Sequence, residues 1–144
     1  MKVELREAGF DPFAEVSRYQ AKMQADGRFG AAAIFVGSMR DFNEGDTVER
    51  MWLEHYPGMT ENYLEKISRE AGERWDLIDS LILHRVGAIR PADAIVLVAV
   101  WSAHRAAAFD ASRWLMEELK SRAPFWKKET LSEGERWVEK NTPG

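Results

Sequence analysis

The 144-residue chain contains no cysteine. That excludes disulfides, thiolate metal sites, cysteine nucleophiles and persulfide carriers together. Its three histidines, His55, His84 and His104, lie far apart and lack paired metal-ligand spacing, so no metal is expected. Long apolar runs are missing too. The most apolar stretch, AIVLVAVW at 94–101, is far too short to span a bilayer. The opening MKVELREAGF has no apolar h-region, so a cytoplasmic location and no membrane partner are expected. Positive charge is in the minority, with 20 Lys and Arg against 24 Asp and Glu and a net charge of −4. Nothing in that total asks for nucleic acid, and an anion bound here must be held by a local cluster. There is no internal repeat and no Gly/Ser linker. The length suits one domain, 1–144, large enough to bury a core.

What is present reads as a mixed chain. Asp11-Pro12 pairs an N-cap with proline at N1 and predicts a first helix. Its inner face carries Phe13, Val16, Tyr19 and Met23, and Gly27 stops it. AAAIFVGS (31–38) reads as a buried strand and VERMWLEHY (48–56) as a half-buried one, with the polar loop RDFNEGD (40–46) between. After the Pro57-Gly58 turn, Thr60 is the expected cap of a second helix, with Met59 and Leu64 as a hydrophobic staple. Leu64, Ile67, Ala71 and Trp75 form its inner face. LILHRVG (81–87) and AIVLVAVW predict two more strands joined through IRPAD (89–93). Ser102 is the expected cap of a third helix, with Ala108, Phe109, Ser112, Met116 and Leu119 on one face and Pro124 ending it. Short extended pieces follow near 126–130 and 136–139. This order, with adjacent strand pairs, gives an α+β fold.

The scarce cations gather in KSRAPFWKKE (120–129), around two aromatics and one carboxylate. Lys120 and Arg122 fall in the last helical turn, where cations compensate the dipole. Lys127 and Lys128 are neighbours on a strand and face opposite ways. One is expected in solvent and the other inward beside Phe125 or Trp126. Desolvation there eases deprotonation and suits acid–base or nucleophilic work. An amphipathic lysine covering an aromatic ring is the competing and more frequent outcome. His104 and Arg105 open the third helix against its dipole, at roughly 0.3–1 kcal/mol each. A bound anion would reverse that sign; a solvated arginine is the plainer reading. Arg40 opens a loop with Asn43 and Gly45, a place where sites are built. His55 and His84 fall within strands and read as hydrogen-bonded structural histidines. Residues alone thus reach a compact domain with an anion pocket and an aromatic wall, and no reaction.

Taken together, GAAAIFVGSMRDFNEGD, LEHYPGMTE, HRVGAIRPAD, SAHRAAAF, LKSRAPFWKKE and ERWVE run from about Gly30 to Glu139. In composition and order they resemble the large, catalytic subunit of the molybdopterin synthase family. The resemblance implies an α/β hammerhead-like domain with an additional small β-subdomain. It implies conversion of cyclic pyranopterin monophosphate into molybdopterin by installing two dithiolene sulfurs. The implied sulfur source is the C-terminal thiocarboxylate of a small ubiquitin-like subunit, with the large subunit a homodimer inside a heterotetramer. No cofactor is called for, and the pterin is the small-molecule substrate. Lys120 and Lys127 match the family's two functional lysines. Lys120 is expected to move protons or handle the partner's terminal carbonyl, and Lys127 to bind substrate and stabilise negative charge. Arg40 is expected on the phosphate or pterin, and His104 with Arg105 as a substrate anchor supplied across the dimer. Ser38, Met39, Lys128 and Glu129 are further substrate-binding expectations. Ser38 stands where some relatives carry a basic residue, which removes or replaces one phosphate contact.

Two other readings compete. A non-catalytic scaffold would keep the fold and the small-subunit contact without activity. A nucleotide- or RNA-binding module would combine aromatics with a broad basic track and a steep salt dependence. The net charge of −4 argues against the second.

Overall fold

The computed structural model describes residues 1–139 other than 24 and 26. In chain order the elements begin with β1 (Lys2–Arg6), α1 (Pro12–Lys22), β2 (Ala31–Ser38), β3 (Phe42–Asn43), β4 (Asp46–His55) and α2 (Met59–Trp75). They continue with β5 (Asp79–Arg85), β6 (Gly87–Ile89), β7 (Ala94–Ser102), α3 (Arg105–Arg122), β8 (Phe125–Leu131) and β9 (Gly134–Trp137). The mixed α+β order is the expected one.

Two sheets divide the strands. The first has the order β1-β5-β7-β2, with β1 parallel to β5 and the other pairs antiparallel. On β7, Val96, Val98 and Val100 meet Leu64 and Ile67 of α2 and Leu115 and Leu119 of α3. The alternate residues Leu97, Ala99 and Trp101 meet Val16 of α1 and Leu81 and Leu83 of β5. Helices therefore cover both faces, which is why 94–101 is apolar without alternation. Each fully buried aliphatic side chain contributes about 1.5–3 kcal/mol, so this strand anchors the molecule. The second sheet has the order β3-β4-β8-β9, with β6 also pairing β4. Its small core of Met39, Val48, Met51, Leu53, Val86 and Ile89 joins the first sheet through Leu5, Ile95 and Phe125.

Several local expectations shift. β1 is a strand that periodicity did not signal; its five residues take their order from parallel pairing with β5. Asp11 caps α1 as expected, accepting from the N–H groups of Phe13 and Ala14 at 3.0 and 3.3 Å. Phe13, however, points to solvent with 69% exposure, and the helix ends at Met23 rather than Gly27. Gly58, not Thr60, stands at the N-cap of α2, its N–H held by Glu61 Oε1 at 3.1 Å. Thr60 is engaged elsewhere: its hydroxyl accepts from Tyr56 N–H and donates to the Pro124 carbonyl, both at 3.1 Å. With Met59 inside the helix and exposed, the staple does not form.

At α3 the N-cap is His104, while the Ser102 hydroxyl donates to the His104 carbonyl. Phe109 is exposed; Ala108, Ala111, Ser112, Leu115, Met116 and Leu119 make the buried stripe. No helix among the described residues is long and apolar enough to cross a membrane.

Candidate functional site

A cleft of about 230 Å³ opens where the ends of β2 and β7 leave the first sheet and meet β8. Gly37 is required at its floor. A Cβ there would lie 2.8 Å from Val96 Cγ1, and the β2–β7 register shifts between Gly37 and Ser38. That shift ends regular pairing and releases Met39 and Arg40 towards the second sheet. Lys120 enters from the last turn of α3. Lys127 and Glu129 enter from β8, whose alternation puts both on the cleft face. Phe42 and Asn43 of β3 close one side.

The cleft is a cationic spot in an acidic chain. Among the described residues, Arg40, Lys120 and Lys127 line it against one carboxylate, Glu129. That carboxylate is buried and already engaged. Glu129 accepts both oxygens' bonds from Asn43 Nδ2 at 3.2 Å, and one from Arg136 Nε at 3.0 Å. Arg136 also reaches Asp46 Oδ2 and the Asn43 carbonyl, each at 2.8 Å. One guanidinium thus clasps β9, β8 and the β3–β4 hairpin into a single wall.

Lys127 is the perturbed group. Burial, then the charge of Lys120 and a hydrogen bond with it, lower its proton affinity from the ordinary lysine value of 10.5 to about 8. Glu129 opposes that shift and Arg40 adds to it. About a tenth of Lys127 is then neutral one unit below its midpoint, enough to give and take protons near neutral pH.

The structure brings Ser38, Met39, Arg40, Lys120, Lys127 and Glu129 together around the cleft. Met39 is buried and packs in the small core beneath it. Lys128 does not join them. It lies on the opposite face of β8, 2.8 Å from Glu135 and over the Trp137 ring at 5.7 Å. It was expected beside the other substrate-binding residues; strand alternation instead turns it away from this cleft. His104 and Arg105 are exposed at the other end of α3, roughly 22 Å from Lys120 along the helix axis. Within one chain they cannot reach the same small ligand.

The aromatic wall also differs from expectation. Phe125 stacks on His84 with centroids 4.1 Å apart, and Trp126 meets Tyr56 edge-on at 4.7 Å. Phe35 and Phe42 line the cleft instead, with the Arg40 guanidinium 4.8 Å from the Phe42 ring centre. Asn43 and Arg136 went unassigned in the sequence. Asn43 fell in a loop already marked as a place for a site, but Arg136, inside the ERWVE stretch, received no role, because its partners lie 7 to 93 positions away. No group of His, Asp and Glu that could hold a metal occurs among the described residues.

A family model described as MoaE protein matches residues 10–122. A curated relative from Pseudomonas aeruginosa, named molybdopterin synthase catalytic subunit, is 52% identical over 139 residues, 96% of this chain and 91% of its own length. A solved structure of molybdopterin synthase from Staphylococcus aureus matches with a TM-score of 0.84 at 30% identity, covering 95% of this chain and 96% of that one. A complex of subunits 1 and 2 of molybdopterin-converting factor from Helicobacter pylori includes a chain that matches with a TM-score of 0.81. At 20% identity over 98% of this chain and 93% of that one, it speaks to the fold alone.

Proposed function

The chain belongs to the MoaE protein family, and from that premise we propose that it is the catalytic subunit of a molybdopterin synthase. It acts as a sulfurtransferase that converts cyclic pyranopterin monophosphate into molybdopterin. Its partner is a small ubiquitin-like subunit bearing a C-terminal thiocarboxylate, in an assembly built on a dimer of this chain. The observation that carries the reading is the Lys120–Lys127 pair beside Arg40 in one cleft.

Each transfer breaks the acyl C–S bond of the partner's tail and forms a C–S bond on the pterin, where a C–O bond breaks and its oxygen leaves. The tail is left as a carboxylate, so a water oxygen replaces the sulfur and its protons must be moved. We assign that proton traffic to Lys127, whose amine holds its proton loosely. The sequence alone favoured Lys120 for that role. Lys120, in contact with Lys127, takes the part of steadying the developing oxyanion at the tail's carbonyl. Arg40 binds the substrate phosphate, with Ser38 beside it. His104 and Arg105 fit this scheme as groups lent to the partner copy's cleft, since their own is out of reach.

The test is reconstitution with a thiocarboxylated small subunit and the cyclic pterin monophosphate. Dithiolene product is expected. Absence of product while the small subunit still binds would leave the scaffold reading standing instead.

A further inference from the structure

His84 has no part in the proposed sulfur transfer, although it lies next to the lysine pair. It sits on β5 with 4% exposure, its ring stacked 16° from parallel on Phe125. Its Nδ1 is 2.7 Å from the Arg85 carbonyl oxygen. A carbonyl only accepts, so Nδ1 carries the proton and Nε2 of the neutral ring carries a lone pair. The ring lines a small cavity of about 50 Å³ with Lys120 from α3, Lys127 from β8 and the apolar Leu53, Ile95 and Leu119. The charges acting on the ring are those of Lys127 and Lys120. Arg40 and Glu129 act on Lys127 from the cleft side, while β4 and β7 present only apolar side chains here.

Resting on the reading of the lysine pair as catalytic, we propose that His84 is a positioning residue. Its Nε2, fixed by the Nδ1–H bond to Arg85, accepts a hydrogen bond across the small cavity from the charged member of the Lys120–Lys127 pair. Two lysine nitrogens bond each other only when one is neutral, because an ammonium has no lone pair. By taking an N–H on the inner side, the imidazole leaves the neutral amine facing the cleft. Burial and the two lysines keep the ring itself neutral, its proton affinity pushed down to about 3.

Lysine NMR on the free protein tests this and needs neither partner nor turnover. Lysine-labelled wild type, His84→Phe and His84→Gln are titrated, with Lys127→Arg to assign the signal, and ring nitrogen shifts are recorded. The expected ring is protonated at Nδ1. The expected Lys127 midpoint falls by about half a unit or more in His84→Phe, which keeps the stack but loses the acceptor. It moves less in His84→Gln, which restores one. Equal midpoints in wild type and His84→Phe, a raised midpoint, or a ring protonated at Nε2 would overturn the proposal. Should His84→Phe not fold, His84→Met takes its place, and the tautomer is read on wild type regardless. Failure of the sulfur-transfer reading would appear in the reconstitution and leave these titrations untouched.

Discussion

Lys127 and Lys128 are consecutive, yet they stand on the two faces of one small sheet and live in different chemistry. On the cleft face Lys127 is half-buried beside a second lysine, and its proton is labile. On the outer face Lys128 lies between Trp52 and Trp137 in the strand register and pairs with Glu135. The outer face is an ordinary amphipathic surface, where a lysine stem covers aromatic rings and its charge finds a carboxylate. The cleft face places three cations beside one carboxylate among the described residues. Perturbed groups of that kind are enriched at functional sites.

The strongest way to break this comparison is to remove the pair. Lys120→Ala and Lys127→Ala are each expected to cut kcat/KM by about 10²–10³-fold. The double variant should lose no more than about tenfold beyond either single, because the two act as a unit. Additive losses in single-turnover assays would mean two independent roles.

Changing pH sharpens the same contrast. The neutral fraction of Lys127 grows about tenfold per pH unit up to its midpoint. With the amine as proton acceptor, kcat/KM should rise with that slope and level off above about pH 8. A profile falling through pH 8 would assign the work to the ammonium form. Stability carries the same sign. Between about 8 and the ordinary 10.5 the unfolded chain binds more protons, so Lys127's contribution to stability rises with pH.

A smaller effect is expected at the wall. Arg136→Ala removes the clasp on Glu129, Asp46 and Asn43 and should raise KM about three- to tenfold with a lesser change in kcat. Arg136→Lys should rescue only part, since an ammonium cannot serve three directions in a plane. An equal fall in kcat with KM unchanged would place Arg136 in the chemistry itself. The smallest effect belongs to the outer face. Trp126→Ser, at an exposed position, should leave kcat within about twofold and change stability by about 1 kcal/mol or less, read by urea denaturation.

Much of this was legible in the sequence where one residue type decides the outcome. Asp11-Pro12 fixed the start of α1, and the run at 94–101 announced a strand. Alternation alone separated Lys127 from Lys128. It could not say which of them faced inward, because that depends on β8 pairing with β4 in one register rather than its neighbour. The caps of α2 and α3 were misplaced for a related reason. Thr60 and Ser102 are good cap formers, but their hydroxyls are spent on Pro124 and His104 carbonyls. An inward, desolvated lysine was one of two outcomes the sequence left open; burial is the larger cause of Lys127's lowered proton affinity, and the added push of a second lysine 7 positions earlier needed the helix and the strand to converge.

The most direct test sets the two neighbouring lysines against each other. Lys127→Ala and Lys128→Ala are compared for dithiolene formation with the same thiocarboxylated partner and pterin substrate. A loss of about 10²-fold or more is expected for the first and a change within about twofold for the second. Comparable losses in both, with folding and partner binding intact, would contradict a catalytic cleft confined to one face of the sheet.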